Sequence, residues 1–154
     1  MKNLFCLNIL IILCFTATAQ LDLSGRDLLG MWHNQKDKDD PSRLVIESFD
    51  VKTGELKGHF LSPSGTDGGN FKLQGWVNSR PITEEEVAAE KHQALSVTFN
   101  VLWDQYGSIT SWTGICFKKD DEIQLNTSWM LVRPVTEYEW DHILTGYDLF
   151  VKQL

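Results

Sequence analysis

The sequence predicts an all-β chain folded as an eight-stranded antiparallel up-and-down β-barrel, and three observations carry that expectation. Short segments rich in β-branched and aromatic residues alternate with clusters of turn formers. Helical periodicity is nearly absent. Read by their two-residue alternation, single strand faces mix hydroxyls with tryptophans: Ser108, Thr110 and Trp112 share one face, and Thr127, Trp129 and Leu131 share another, beside the apolar face of Phe99, Val101 and Trp103. A sandwich with a filled core is the plainer alternative, but it would leave those hydroxyls short of partners. A closed barrel can enclose a small ligand whose polar atoms supply them.

Taken in order, the strands are expected at Leu28 to Asn34, Arg43 to Phe49, Glu55 to Leu61, Phe71 to Asn78, Leu95 to Trp103, Thr110 to Phe117, Ile123 to Val132 and Ile143 to Val151. The charged run "QKDKDDPS" links the first pair, and Lys52-Thr53-Gly54 closes a hairpin between the second and third. The Gly- and Ser-rich "SPSGTDGGN" follows. The segment "PITEEEVAAEK" reads best as a long solvated connection, with one or two helical turns as the alternative because Thr83 and Glu86 stand at capping-box spacing.

Residues 1–19 read as a cleaved signal peptide: Lys2 supplies the positive end, Leu4 to Phe15 the apolar run, and Ala17-Thr18-Ala19 the small residues of a cleavage site. A membrane anchor needs a run of about 20 apolar residues. A lipoprotein reading of Cys14 meets Leu13 where a small residue is wanted. The expected product is residues 20–154, a single domain secreted to an extracellular or periplasmic space. Cys6 and Cys14 leave with the leader, so Cys116 has no intrachain partner.

The net charge of -7, one unit more negative without Lys2, argues against binding nucleic acid or an anionic membrane through a broad basic field. His33, His59, His92 and His142 lack metal-ligand spacing and read as surface or rim residues. Glu84-Glu85-Glu86 reads as a solvated face. The sequon Asn126-Thr127-Ser128 falls inside a predicted strand, which weakens it as a glycosylation site. Six tryptophans, Trp32, Trp76, Trp103, Trp112, Trp129 and Trp140, all lie beyond the leader; any one of them is ordinary core, but three interleaved with hydroxyls suggest an aromatic-walled pocket.

The segments "LLGMWHNQ", "GELKGHF", "FNVLWDQYGSITSWTGICF", "LNTSWMLVRP" and "WDHILTGYDLF" occur in the order of their counterparts in the avidin and streptavidin family, which the chain resembles over nearly all of residues 20–154. The resemblance implies a binding protein for biotin, with no catalysis and no cofactor or metal. It implies roles position by position: Asn34 and Ser42 as donors to the ureido oxygen, Ser62 and Asp148 as acceptors from the ureido nitrogens, and Thr110 facing the sulfur. Ser108, with the backbone near Thr66, would hold the valerate carboxylate. Trp103, Trp112, Trp129 and Leu131 would wall the ring system, and Trp140 would reach into the site of a neighbouring subunit of a homotetramer, a dimer being the alternative assembly. Three departures stand out: Phe60 replaces the family's tyrosine, the loop between Asn34 and Ser42 is longer, and no cysteine precedes Leu28 to pair with Cys116.

Two other functions fit a small secreted barrel. A glycosidase needs two inward carboxylates, and the predicted inward faces offer Asp148 while Asp104 and Glu122 fall elsewhere. A lipocalin-like or carbohydrate-binding barrel would want a larger apolar share than Ser, Thr, Asn and Asp leave.

Overall fold

Strands with one apolar and one polar face must bury the apolar one, and in the computed structural model they do so by closing into a barrel with the strand order β1-β2-β3-β4-β5-β6-β7-β8. The structure describes residues 23–36, 39, 41–63, 69–78, 80, 83–89, 93–119 and 122–152; the expected leader, the start at Gln20, and Thr66 and His92 lie outside them. The strands are β1 (Gly30–Asn34), β2 (Arg43–Phe49), β3 (Glu55–Leu61), β4 (Asn70–Asn78), β5 (Ala94–Trp103), β6 (Ser108–Lys119), β7 (Glu122–Val132) and β8 (Ile143–Lys152). Every neighbouring pair is antiparallel, and β1 closes the ring by pairing Trp32 to Asn34 with Lys152 to Phe150.

Two expectations need correction. The apolar run from Leu28 is not all strand: Gly25–Leu28 is a 3-10 turn, and β1 begins at Gly30. Its start is held by Asp27, whose Oδ2 accepts from Ser24 N at 2.7 Å and Ser24 Oγ at 2.9 Å. Leu28 is buried because it plugs the barrel end, where its carbonyl accepts from Trp32 Nε1 at 2.8 Å. In the segment expected to be a connection, the helical alternative forms as α1 (Glu84–Ala88). Glu86 N donates to Thr83 Oγ1 at 3.3 Å and Thr83 N donates to Glu86 Oε2 at 3.1 Å, the reciprocal cap that the spacing offered. Glu86 also pairs with Arg80, so it is more than a solvated carboxylate.

In an up-and-down barrel, the ends of odd strands and the starts of even strands lie together. The opposite end is apolar: Leu28, Ile46, Leu56, Leu95, Cys116 and Leu125 are all at most 2% exposed. Buried polar side chains, Asn34, Ser42, Ser108, Thr110 and Thr127, belong to the other half. The barrel is thus a filled apolar plug below and a polar-lined mouth above.

Candidate functional site

The mouth is built by chain order. Asn34 ends β1, Ser42 precedes β2, Phe60 ends β3 with Ser62 just beyond, Trp103 ends β5, and Ser108, Thr110 and Trp112 begin β6. Trp129 and Leu131 lie near the end of β7, and Asp148 lies in the middle of β8. Asn34, Ser42, Phe60, Ser108, Thr110 and Trp112 are buried; Ser62, Trp103, Trp129, Leu131 and Asp148 are half-buried. The tight connection from β5 to β6 is a 3-10 turn, Asp104–Tyr106, ended by Gly107 at φ 62°, a left-handed position that glycine takes without strain. That turn fixes Trp103 opposite Ser108 and Val101 opposite Thr110, so the hydroxyl and tryptophan positions face one interior.

Two indole N–H groups in this half, those of Trp103 and Trp112, donate to polar side chains, which fixes their ring planes. Trp103 Nε1 donates to Thr110 Oγ1 at 2.7 Å, and Trp112 Nε1 donates to Asp148 Oδ2 at 2.9 Å. Thr127 Oγ1 donates to the Asp148 carbonyl at 3.3 Å. Around them runs a chain of rings: Phe60 packs edge-on to Trp103 at 5.5 Å and stacks on Trp112 at 5.3 Å, Phe99 stacks on the same Trp112 at 5.1 Å, and Phe71 meets Trp103 at 4.6 Å. Trp129 lies flat against β8 because its neighbour there is Gly146: a Cβ at that position would stand 2.4 Å from the ring.

The polar wall has hydrogen-bonding capacity left over. Asn34 Oδ1 accepts from Lys36 N at 3.0 Å, a bond only the oxygen can make, so the amide group is the one turned to Ser42, where Nδ2 donates to Oγ at 3.3 Å. Ser42 Oγ accepts there and keeps its own proton to donate. Thr110 Oγ1 likewise accepts from Trp103 and retains a proton, and the Asp148 carboxylate has a second oxygen. The site therefore offers donors at the end of β1, just before β2 and on β6, and an acceptor on β8. The aromatic side chains come from β3 through β7. Such a mouth suits a small flat ligand with a urea- or amide-like head and an apolar body.

Trp140 stands apart from this set. It lies in the β7–β8 connection, 76% exposed, stacked on Tyr138 at 5.0 Å between centroids and 7° between planes. Asp104 and Glu122 are both exposed. Among the histidines, His59 pairs with Glu47 at 3.1 Å and His142 Nδ1 lies 2.8 Å from the Arg133 carbonyl, while His33 is half-buried. Among the described residues no group of three His, Cys, Asp or Glu side chains is placed to hold a metal ion.

Thr127, read from sequence as sharing a face with Trp129 and Leu131, sits opposite Asp148. Two contributors, Phe71 and Lys36, were not singled out from sequence. Phe71 has the parity of the buried Leu73, Gly75 and Val77, a signal the pattern did contain. Lys36 lies in a connecting segment, where no periodicity marks it. No curated protein matches the chain. The family model described as the avidin family matches residues 24–153.

Proposed function

The chain belongs to the avidin family, and from that premise we propose that it binds biotin non-covalently in the open half of the barrel, as a binding protein and not an enzyme. The observation that carries the reading is that one end of the barrel brings hydrogen-bonding side chains, Asn34, Ser42, Thr110 and Asp148, together with aromatic rings from β3 to β7. In this reading Asn34 Nδ2 and Ser42 Oγ donate to the ureido oxygen, while Asp148 and Ser62 accept from the ureido nitrogens. Trp103, Trp112, Trp129 and Leu131 cover the bicyclic body, Thr110 faces the sulfur, and Ser108 with the segment around Thr66 receives the carboxylate. Asp104 and Glu122, the acids weighed beside Asp148 for glycoside hydrolysis, are both exposed.

The same reading makes the protein a secreted homotetramer, with a dimer as the alternative, cleaved after residue 19 and acting on free biotin without nucleic acid or membrane partners. Support for assembly comes from the outer wall. Leu102, Ile109, Val132 and Ile143 face one another in a single cross-strand row over β5 to β8 and are 49%, 45%, 46% and 55% exposed. A contiguous apolar row of this kind is a surface that a second copy of the chain would cover. Trp140, exposed at the mouth, is the residue a neighbouring subunit would receive.

Isothermal titration with biotin tests the function. One biotin per chain with quenching of tryptophan fluorescence is expected. A flat titration at micromolar protein would overturn the reading.

A further inference from the structure

The barrel wall has a seam. β1 pairs with β8 only at Trp32 to Asn34, so Ile143 to Leu149 of β8 have β7 on one side and no strand on the other. Unpaired backbone carbonyls along such an edge need partners. The segment after β1 supplies them: Gln35 N donates to the Leu149 carbonyl at 2.8 Å, and the Lys36 ammonium reaches the Tyr147 carbonyl at 3.4 Å. Leu149 and Tyr147 flank Asp148, whose side chain points the other way, into the mouth.

Lys36 makes two further contacts with the same site. Its backbone N–H holds Asn34 Oδ1, and its ammonium sits 5.9 Å over the ring of Trp129. The charge favours the electron-rich face of the indole. One residue thus touches the amide side chain that donates, the indole that walls the mouth, and the strand that carries the acceptor.

We propose that Lys36 is a positioning residue of this pocket: it closes the seam between β1 and β8 and holds Trp129 in place, setting how long a ligand stays bound without touching it. This rests on the biotin reading above. The ammonium does two jobs at once, satisfying a β8 carbonyl and fixing the ring. The backbone contact to Asn34 does not depend on the side chain, so substitution of the side chain isolates the latch.

The test compares Lys36→Met, which keeps the apolar stem and loses the charge, with Lys36→Arg, which keeps both charge and donor. Biotin dissociation is followed by chase with unlabelled biotin. Acrylamide quenching of the ligand-free protein is measured in a background carrying both Trp76→Phe and Trp140→Phe, which removes the two exposed indoles. Lys36→Met should dissociate about two- to fivefold faster and be more readily quenched, with melting temperature unchanged. Lys36→Arg should restore both values. A Lys36→Met protein that releases biotin at the natural rate overturns the latch. If the natural protein binds no biotin, the biotin reading fails on its own, and the latch then stands or falls on quenching: no rise in Lys36→Met overturns it.

Discussion

Trp112 and Asp148, 36 residues apart, are joined by a 2.9 Å hydrogen bond from the indole N–H to the carboxylate across the interior of the barrel. The bond engages one carboxylate oxygen, so in the proposed site a single contact would serve stability and recognition together.

Asp148→Ala should therefore damage both. It leaves the Trp112 N–H without its acceptor, a loss worth about 1–3 kcal/mol for a buried donor, and removes a ligand acceptor, which lowers biotin affinity roughly tenfold to a hundredfold. Urea unfolding and titration check the two effects. Asp148→Asn keeps an oxygen for the indole and should recover most of the stability but not the affinity. Equal biotin affinity in all three proteins would remove Asp148 from the site.

Gly146 and Trp129 make the second prediction. A Cβ at Gly146 would lie 2.4 Å from the ring, inside any contact distance, so Gly146→Ala must push the indole off β8 and into the lumen. A cost of about 1–3 kcal/mol is expected for such overpacking, together with shifted tryptophan emission and weaker biotin binding. Unaltered emission and affinity would show that the ring can yield harmlessly.

The part of this site that is legible in sequence follows from regular structure. From Phe99 to Trp112, two long strands of period two meet at a turn ended by Gly107, so parity alone brings Trp103, Thr110 and Trp112 to one face. Leu28 misleads because an apolar residue that plugs a barrel end looks the same in sequence as one inside a strand. Lys36 is invisible for a different reason: its position depends on β1 ending well short of β8, a mismatch in strand length that only closure of the ring reveals. The reciprocal cap of Thr83 and Glu86 is the opposite case, a local signal strong enough to form α1 where composition argued for a loop.

Cys116 should be inert in the folded protein. It is fully buried at the plugged end, and burial, with the Asp27 charge adding to it, pushes its thiol up to about 12. Iodoacetamide at pH 8 is expected to label the unfolded chain and spare the folded one. The unfolded thiol ionises near pH 8.5, so between there and about 12 the unfolded state binds fewer protons and stability falls as pH rises. Rapid labelling of the native protein would contradict this burial.

The outer row of Leu102, Ile109, Val132 and Ile143 predicts assembly. Light scattering should give a mass above that of one chain, and Val132→Lys, in the middle of the row, should lower it by setting an ammonium against apolar neighbours. A natural protein that is monomeric at micromolar concentration would mean that neither this row nor Trp140 is covered by another copy.

Phe60 supplies the last prediction, because it stands at a proposed ligand contact where the resemblance to the family implies a tyrosine. The ring is 5% exposed and held on two sides, stacked on Trp112 and edge-on to Trp103. Across β2 it pairs with Leu44, one interior position below Ser42, so it stands beside the proposed donors to the ureido oxygen. A phenylalanine there contributes area but no proton. A hydroxyl added at the far end of the ring would give that oxygen another donor in a dry setting, worth about 1–3 kcal/mol, or roughly tenfold to a hundredfold in affinity. Most of the gain should appear as slower release, since changes within one site act mainly on dissociation. Biotin dissociation measured side by side for the natural protein and Phe60→Tyr decides it: slower release places the ring against the ureido oxygen, and unchanged or faster release shows that the hydroxyl has no ligand atom to meet.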